Sequence, residues 1–311
     1  MSVTFSGGGV TISGGGWTLE APPAGVKAIF GYGYGTAFTA VTNLVSNTGV
    51  VANDTAGVGT ARYLLAAASY GSDKAIFGYG ISSGVYRSMT NLVSNAGVVA
   101  SDTTGVGTAR EALAAAGYGT DKAIFGYGNT GSLTAVTNLV SNTGVVASDT
   151  TGVGQARAYL AAATYGTDKA IYGYGQDNVT GYVSMTNLVS NTGVVANDTA
   201  GVGTGRRELA AAGYGTDKAI FGYGYASSGY LSITNLVSNT GVVATDTSGV
   251  GTARNLLAAA GYSTDKAIFG YGNSTSGEVS MTNLVSNTGV VATDTTGVGT
   301  ARYGPAAASY G

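Results

Sequence analysis

The stretch from Asp121 to Arg157 recurs almost unchanged six times, in copies that begin at Lys27, Lys74, Lys122, Lys169, Lys218 and Lys266. The period is 47 to 49 residues. A unit of that length is one supersecondary element that cannot bury its apolar side chains alone, so the copies must pack on one another. Residues 27–311 are therefore expected to form one body of six units, although 311 residues would ordinarily suggest two domains. Residues 1–26 stand outside the repeat.

Within the third copy, four short apolar runs are separated by turn residues: Leu113–Tyr118, Lys122–Tyr127, Val136–Ser141 and Gly144–Ala147. Runs of this length, rich in Val, Ile, Phe and Tyr, predict four antiparallel strands per unit. The Ala-rich first run favours helix by propensity. It is far shorter than the ~12 residues at which an isolated helix becomes marginal, and small side chains suit strands crowded around an axis. The second run, AIFGYG, is apolar on both faces, as in a sheet sandwiched between two others. The first copy lacks a first run, and Ala306–Tyr310 supplies one after the sixth copy. The C-terminal strand is thus expected to complete the first unit and remove two open sheet edges.

Composition narrows the function. With 53 Gly but only 3 Pro, 44% hydrophobic and 10% charged residues, the chain can bury a core. A net charge of −2, with every Lys at one repeat position, argues against nucleic acid as a partner. The absence of His and Cys excludes Ser-His-Asp and Cys-His nucleophiles. No Gly-Lys-Ser/Thr follows the Gly-rich GYGYG and GVGT segments, so they do not read as phosphate loops, and no cofactor or metal motif is found. No apolar run approaches the ~18 residues that would span a bilayer, and no secretory signal is read, which suggests a cytoplasmic or virion-associated protein without membrane insertion.

The order AR-x-x-LAAAGY-x-x-DKAIFGYG-TNLVSNTGVVA-DTTGVGTAR resembles the repeat of the Kelch family, which runs from an Arg through a small apolar strand and a glycine-rich strand to an outer strand pair. The resemblance covers Lys27 to Gly311. The glycine pair appears here as Gly126-Tyr127-Gly128, and Val140 and Val145 or Val146 stand where the family has Tyr and Trp. The resemblance implies an all-β, six-bladed β-propeller of four-stranded antiparallel blades, closed by the C-terminal strand. The leader, SVTFSGGGVTISGGGW, is similar to the start of some marine bacteriophage virion proteins. It reads as one or two short strands and a linker, either packed outside the body or tethering it to a larger assembly with Trp17 as anchor. Without such a tether a monomer is expected.

Two charged positions recur in every copy. Arg62, Arg110, Arg157, Arg206, Arg254 and Arg302 follow the GVGT loop, and Asp54, Asp102, Asp149, Asp198, Asp246 and Asp294 precede it. A residue needed at every junction must repeat in every unit, whereas one binding site does not need six copies. The Arg are therefore expected to pair across junctions and the Asp to cap turns.

The copies differ in two segments: the connection between the second and third strands, and the pair of residues after each Arg. In an antiparallel meander both lie at one end of the sheet. They carry Tyr34, Phe38, Tyr63, Tyr86, Arg87, Glu111, Tyr159, Asp177, Tyr182, Arg207, Glu208, Tyr225, Tyr230, Glu278 and Tyr303. Loops on a rigid scaffold commonly carry binding, with Tyr and Arg as anchors. The expected function is a non-catalytic binding or structural module whose variable face meets a protein or glycan partner. The competing readings are an enzyme or metal-binding propeller with a carboxylate site over the central channel, and a recently amplified chain with no selected ligand.

Overall fold

The computed structural model describes residues 26–311 in full, together with the backbone of residues 2–6, 9–13 and 17–19. Every regular element among them is a β-strand. In the leader, Ser2–Ser6, Gly9–Ser13 and Trp17–Leu19 form a three-stranded antiparallel sheet, one strand more than the sequence suggested. The anchoring role of the Trp17 side chain lies outside the described residues.

Each repeat builds one antiparallel sheet around its AIFG strand, which reads AIYG, with Tyr172, in the fourth unit. In the third unit Ala114–Tyr118, Lys122–Asn129 and Leu133–Val140 lie side by side, with Ala114 opposite Gly126 and Ile124 opposite Leu139. The Ala-rich runs are strands in all six units. In the first unit the partner of Lys27–Tyr34 is Ala306–Tyr310, with Ala306 opposite Gly31 and Tyr310 opposite Lys27. Ala306–Tyr310 thus takes, in the first sheet, the place that the preceding Ala-rich run takes in the others.

Alternation along the central strand decides how sheets meet. Ile29 and Tyr32 of the first sheet face Ala75, Phe77 and Val93 of the second, while Ala28, Phe30 and Val45 face Ile268 and Tyr271 of the sixth. Six such cores occur, one between each pair of neighbouring sheets. Each central Phe is fully buried, a contribution of about 1.5–3 kcal/mol per ring. The first Gly of GYG belongs to the same packing: a Cβ on Gly78 would stand 2.7 Å from Cζ of Phe125 in the next sheet. The six Ala strands neighbour one another in cyclic order, Ala306–Tyr310 lying between Ala258–Tyr262 and Ala66–Tyr70. Together they line a cavity of about 150 Å³.

The expected fourth strand is not formed. Residues after the third strand make only two isolated bridges per unit, such as Val45 with Val51 and Thr42 with Thr55. Between them the Asn43 side chain intervenes: its Nδ2 donates to the Ala52 carbonyl at 3.0 Å and to Asp54 Oδ1 at 2.8 Å. A side chain replaces the ladder there, so the outer segment follows the sheet without becoming a strand. Its Val50 and the five equivalent valines are 65–66% exposed.

Candidate functional site: the variable face and its axis

The invariant charges sit at the junctions between sheets. Arg62 is fully buried, with its guanidinium carbon 4.4 Å from the ring centroid of Tyr32 in the first sheet. Its Nε donates to the Tyr79 carbonyl at 2.8 Å, one terminal nitrogen to Thr60 O at 3.0 Å, and the other to Asn91 Oδ1 at 2.6 Å. Arg110, Arg157, Arg206, Arg254 and Arg302 repeat this arrangement. The stacked tyrosines have left-handed backbones, with φ of 64° at Tyr32 and 63° at Tyr127. That conformation costs a non-glycine residue about 1–2 kcal/mol. The cation over the ring and the bond from Tyr32 Oη to Val58 O at 3.0 Å oppose that cost.

The Asp residues do not cap their own turns. Asp102 Oδ2 accepts from the backbone N–H of Thr60 at 3.0 Å and from its hydroxyl at 2.7 Å, so it fastens the loop of the preceding unit. Partial burial would raise the pKa of Asp102, but bonds from Thr60 and Asn91 outweigh it and hold the carboxyl below its ordinary value.

Two backbone rings lie around the axis. The second residue of each variable pair has a left-handed backbone, φ running from 50° at Leu256 to 61° at Gly304. Each donates its N–H to the carbonyl of the equivalent residue next door: Leu64 to Gly304 at 3.0 Å, Gly304 to Leu256 at 2.8 Å, Leu256 to Glu208 at 2.9 Å, and Glu208 to Tyr159 at 2.8 Å. Tyr159 to Ala112 at 2.8 Å and Ala112 to Leu64 at 2.9 Å complete the circle. A second circle joins the turns between first and second strands, from Gly71 N–H to Asp121 O at 2.7 Å around to Ser263 N–H and Val26 O at 2.6 Å. Below the first circle Leu65, Leu113, Leu160, Leu209, Leu257 and Pro305 enclose a cavity of about 70 Å³ and separate it from the Ala-lined one.

The two variable segments are hydrogen-bonded to each other. Tyr63 and Ile81 exchange backbone bonds of 3.1 and 3.0 Å, Glu111 and Asn129 bonds of 3.0 and 2.9 Å, and Arg207 and Tyr225 bonds of 3.0 and 2.9 Å. Both segments therefore stand together beside the upper circle.

Candidate residues gather there in two patches. Tyr34, Phe38, Tyr63 and Tyr303 form an aromatic cluster over the first two units, with neighbouring centroids 5.1 to 6.0 Å apart. Across the axis, the Arg207 guanidinium lies 5.3 to 5.8 Å from the ring centroids of Tyr159, Tyr182 and Tyr225, and Tyr230 meets Tyr225 edge-on at 5.3 Å. Arg207 donates to Gln176 Oε1 and pairs with Glu208 Oε1 at 3.2 Å. Glu208 also accepts from Asn255 Nδ2, while Asn255 Oδ1 is buried without a partner. Burial raises the pKa of Glu208, and burial together with the charges of Glu111 and Glu208 pushes Tyr159 up to about 12.

Other candidates are occupied locally. Asp177 is buried and accepts from the N–H groups of Val179, Thr180 and Gly181 at 2.7 to 3.0 Å, which shapes its own loop. Tyr86 pairs with Ile81 in a short hairpin, and Arg87 continues that turn with its Nε buried and unpartnered. Glu278 is exposed opposite Asn273. Gln176, Asn129 and Asn255 were not singled out from sequence, although they stand in the variable segments. Among the described residues no group of three or more His, Cys, Asp or Glu is arranged to hold a metal ion.

No protein-family model matches this chain, and no curated protein is similar enough to count as a relative.

Proposed function

We propose that the chain is a single six-bladed, Kelch-like β-propeller that acts as a non-catalytic binding module, its variable face turned to a protein or glycan partner. The cyclic order of the Ala strands, the closing strand Ala306–Tyr310 and the two circles of backbone bonds support the propeller reading. The observation that carries the binding reading is the convergence of two variable segments on one end of an otherwise repeating body, where they supply two aromatic patches and a buried polar network. Rigid support with changeable surface chemistry is the general design of loop-based recognition. Half-buried tyrosines supply contact area at small entropic cost. Association with a virion is a narrower form of the same reading, suggested by the leader.

The test is a glycan array and a panel of purified cell-surface proteins probed with the intact chain and with a Tyr86→Ser, Tyr182→Ser, Tyr230→Ser variant. Saturable binding to one class, lost in the variant, is expected. Binding to nothing on either panel, or binding that the variant retains, would sink the reading.

A further inference from the structure

Among the described residues three buried side-chain polar atoms have no hydrogen-bond partner: Arg87 Nε, Arg207 Nε and Asn255 Oδ1. All three stand in the variable segments, although the repeating body buries six Arg and six Asn completely. Unpartnered atoms of this kind are rare and need a cause. Two of the three flank one carboxylate. Arg207 Nε lies 3.2 Å from Glu208 Oε1, an ion pair that is not a hydrogen bond. On the other side Asn255, 7% exposed, donates Nδ2 to Glu208 Oε2 while its Oδ1 stays open.

Four tyrosines wall this group. Tyr159, Tyr182 and Tyr225 stand around the Arg207 guanidinium, and Tyr230 meets Tyr225 edge-on. Tyr230 Oη also accepts from Asn273 Nδ2 at 3.3 Å, and Asn273 pairs with Asn255 in a short ladder. All four rings are partly exposed, and Tyr159 and Glu208 line the 70 Å³ axial cavity, so the patch has a hollow beside it. Arg207 and Glu208 cancel in charge, which gives an ion of either sign no net attraction. An unpaired donor and an unpaired acceptor beside a carboxylate match groups that both accept and donate, and hydroxyls do so. A neutral molecule with many hydroxyls and an apolar C–H face is a sugar.

We infer that Arg207, Glu208 and Asn255, with the rings of Tyr159, Tyr182, Tyr225 and Tyr230, form a site for an uncharged saccharide. Its hydroxyls complete Arg207 Nε and Asn255 Oδ1, and its C–H face lies on the tyrosines. Neither atom is open to solvent, so binding requires a half-exposed ring to turn aside, as surface side chains do within nanoseconds. This rests on the reading of the variable face as a binding surface and makes it specific, since it names a glycan as the partner. Arg, Glu and Asn each occur in only one of the six units at these repeat positions, which sets them apart from the junction residues.

The probes are the methyl glycosides of glucose, galactose, mannose and N-acetylglucosamine, titrated into the intact chain and read by calorimetry and by saturation-transfer NMR. At least one is expected to bind saturably, with its 6-carboxylate and 2-amino analogues binding no more tightly. Asn255→Leu and Tyr230→Ser are each expected to weaken it by at least about tenfold, and Val98→Ser at the rim to leave it unchanged. Should Asn255→Leu fold poorly, Tyr230→Ser at a partly exposed ring carries the test. Binding of no glycoside, tighter binding of a charged analogue, or unchanged affinity in Tyr230→Ser overturns the site. Absence of sugar binding, with a panel protein captured by the intact chain and lost in the triple tyrosine variant, removes the saccharide and keeps the face; capture of nothing removes both.

Discussion

Asp54 takes both the backbone N–H and the hydroxyl of Thr300 on its carboxylate, at 3.0 Å from the nitrogen, across 246 residues of chain. Asp102 does the same for Thr60 across 42 residues. The junction between the sixth and first units is thus built from the same parts as the internal ones. The departures are on the opposite end, where Ser263 donates in place of a Gly and the carbonyl of Val26 accepts in place of an Asp.

Truncation after Pro305 tests that junction. It removes Ala306–Gly311, exposes the edge of Lys27–Tyr34 and uncovers Ile29 and Phe30. A large fall in melting temperature by circular dichroism is expected, along with a tendency to associate through the open edge. An unchanged melting temperature would mean the units do not depend on closure.

Arg110→Met leaves Tyr127 O, Thr108 O and Asn138 Oδ1 without their donor. Orphaned buried acceptors cost about 1–3 kcal/mol each, so a loss of about 3–5 kcal/mol is expected in urea unfolding. Arg110→Lys recovers only part, because one ammonium cannot serve three separated acceptors and also lie over Tyr79.

Acid should loosen the junctions together. Asp54, Asp102, Asp149, Asp246 and Asp294 have depressed pKa values: partial burial raises them, but bonds from Thr and Asn more than offset it. A carboxyl with a lowered folded-state pKa contributes stability above its unfolded value near ~3.9 and loses it as pH falls through the folded value. The melting temperature should therefore hold to about pH 4 and drop below it. Asp102→Asn should shrink that drop.

Glu111 should act in the opposite sense. Burial raises its pKa, so the folded state prefers the protonated form and stability is lost as pH rises through the unfolded and then the folded value. Glu111→Gln is expected to raise the melting temperature at pH 7 and to leave it unchanged below about pH 4. A melting temperature lowered at pH 7 would mean the carboxylate has an internal partner.

Much of this was legible in the chain. The Ala run forms a strand because six residues are too few for a helix and because the axis admits only small side chains. Ala306–Tyr310 could be matched to Lys27–Tyr34 because the repeat was out of phase at both ends. The fourth strand misled because TGVVA has strand-like composition, while the Asn43 side chain that interrupts its ladder, although repeated in every unit, stands nine residues away from the Ala52 carbonyl it binds and does not alter the pattern of the TGVVA run itself. The left-handed Tyr of GYG was hidden for a similar reason, since its support comes from an Arg about thirty residues further on. Glu111 could be placed on the variable face, but its burial depends on what the fold packs around it.

If the repeating residues build the body and the non-repeating ones bind, two variants compared with the intact chain on the same glycan and protein panel, each with a melting curve, should part company. One carries Tyr86→Ser, Tyr182→Ser and Tyr230→Ser on the variable face; the other carries Val98→Ser, Val145→Ser and Val194→Ser at the exposed rim. Binding is expected to disappear in the first and persist in the second, with both melting near the intact chain; loss of binding in the rim variant, or its survival in the face variant, would overturn that division of roles.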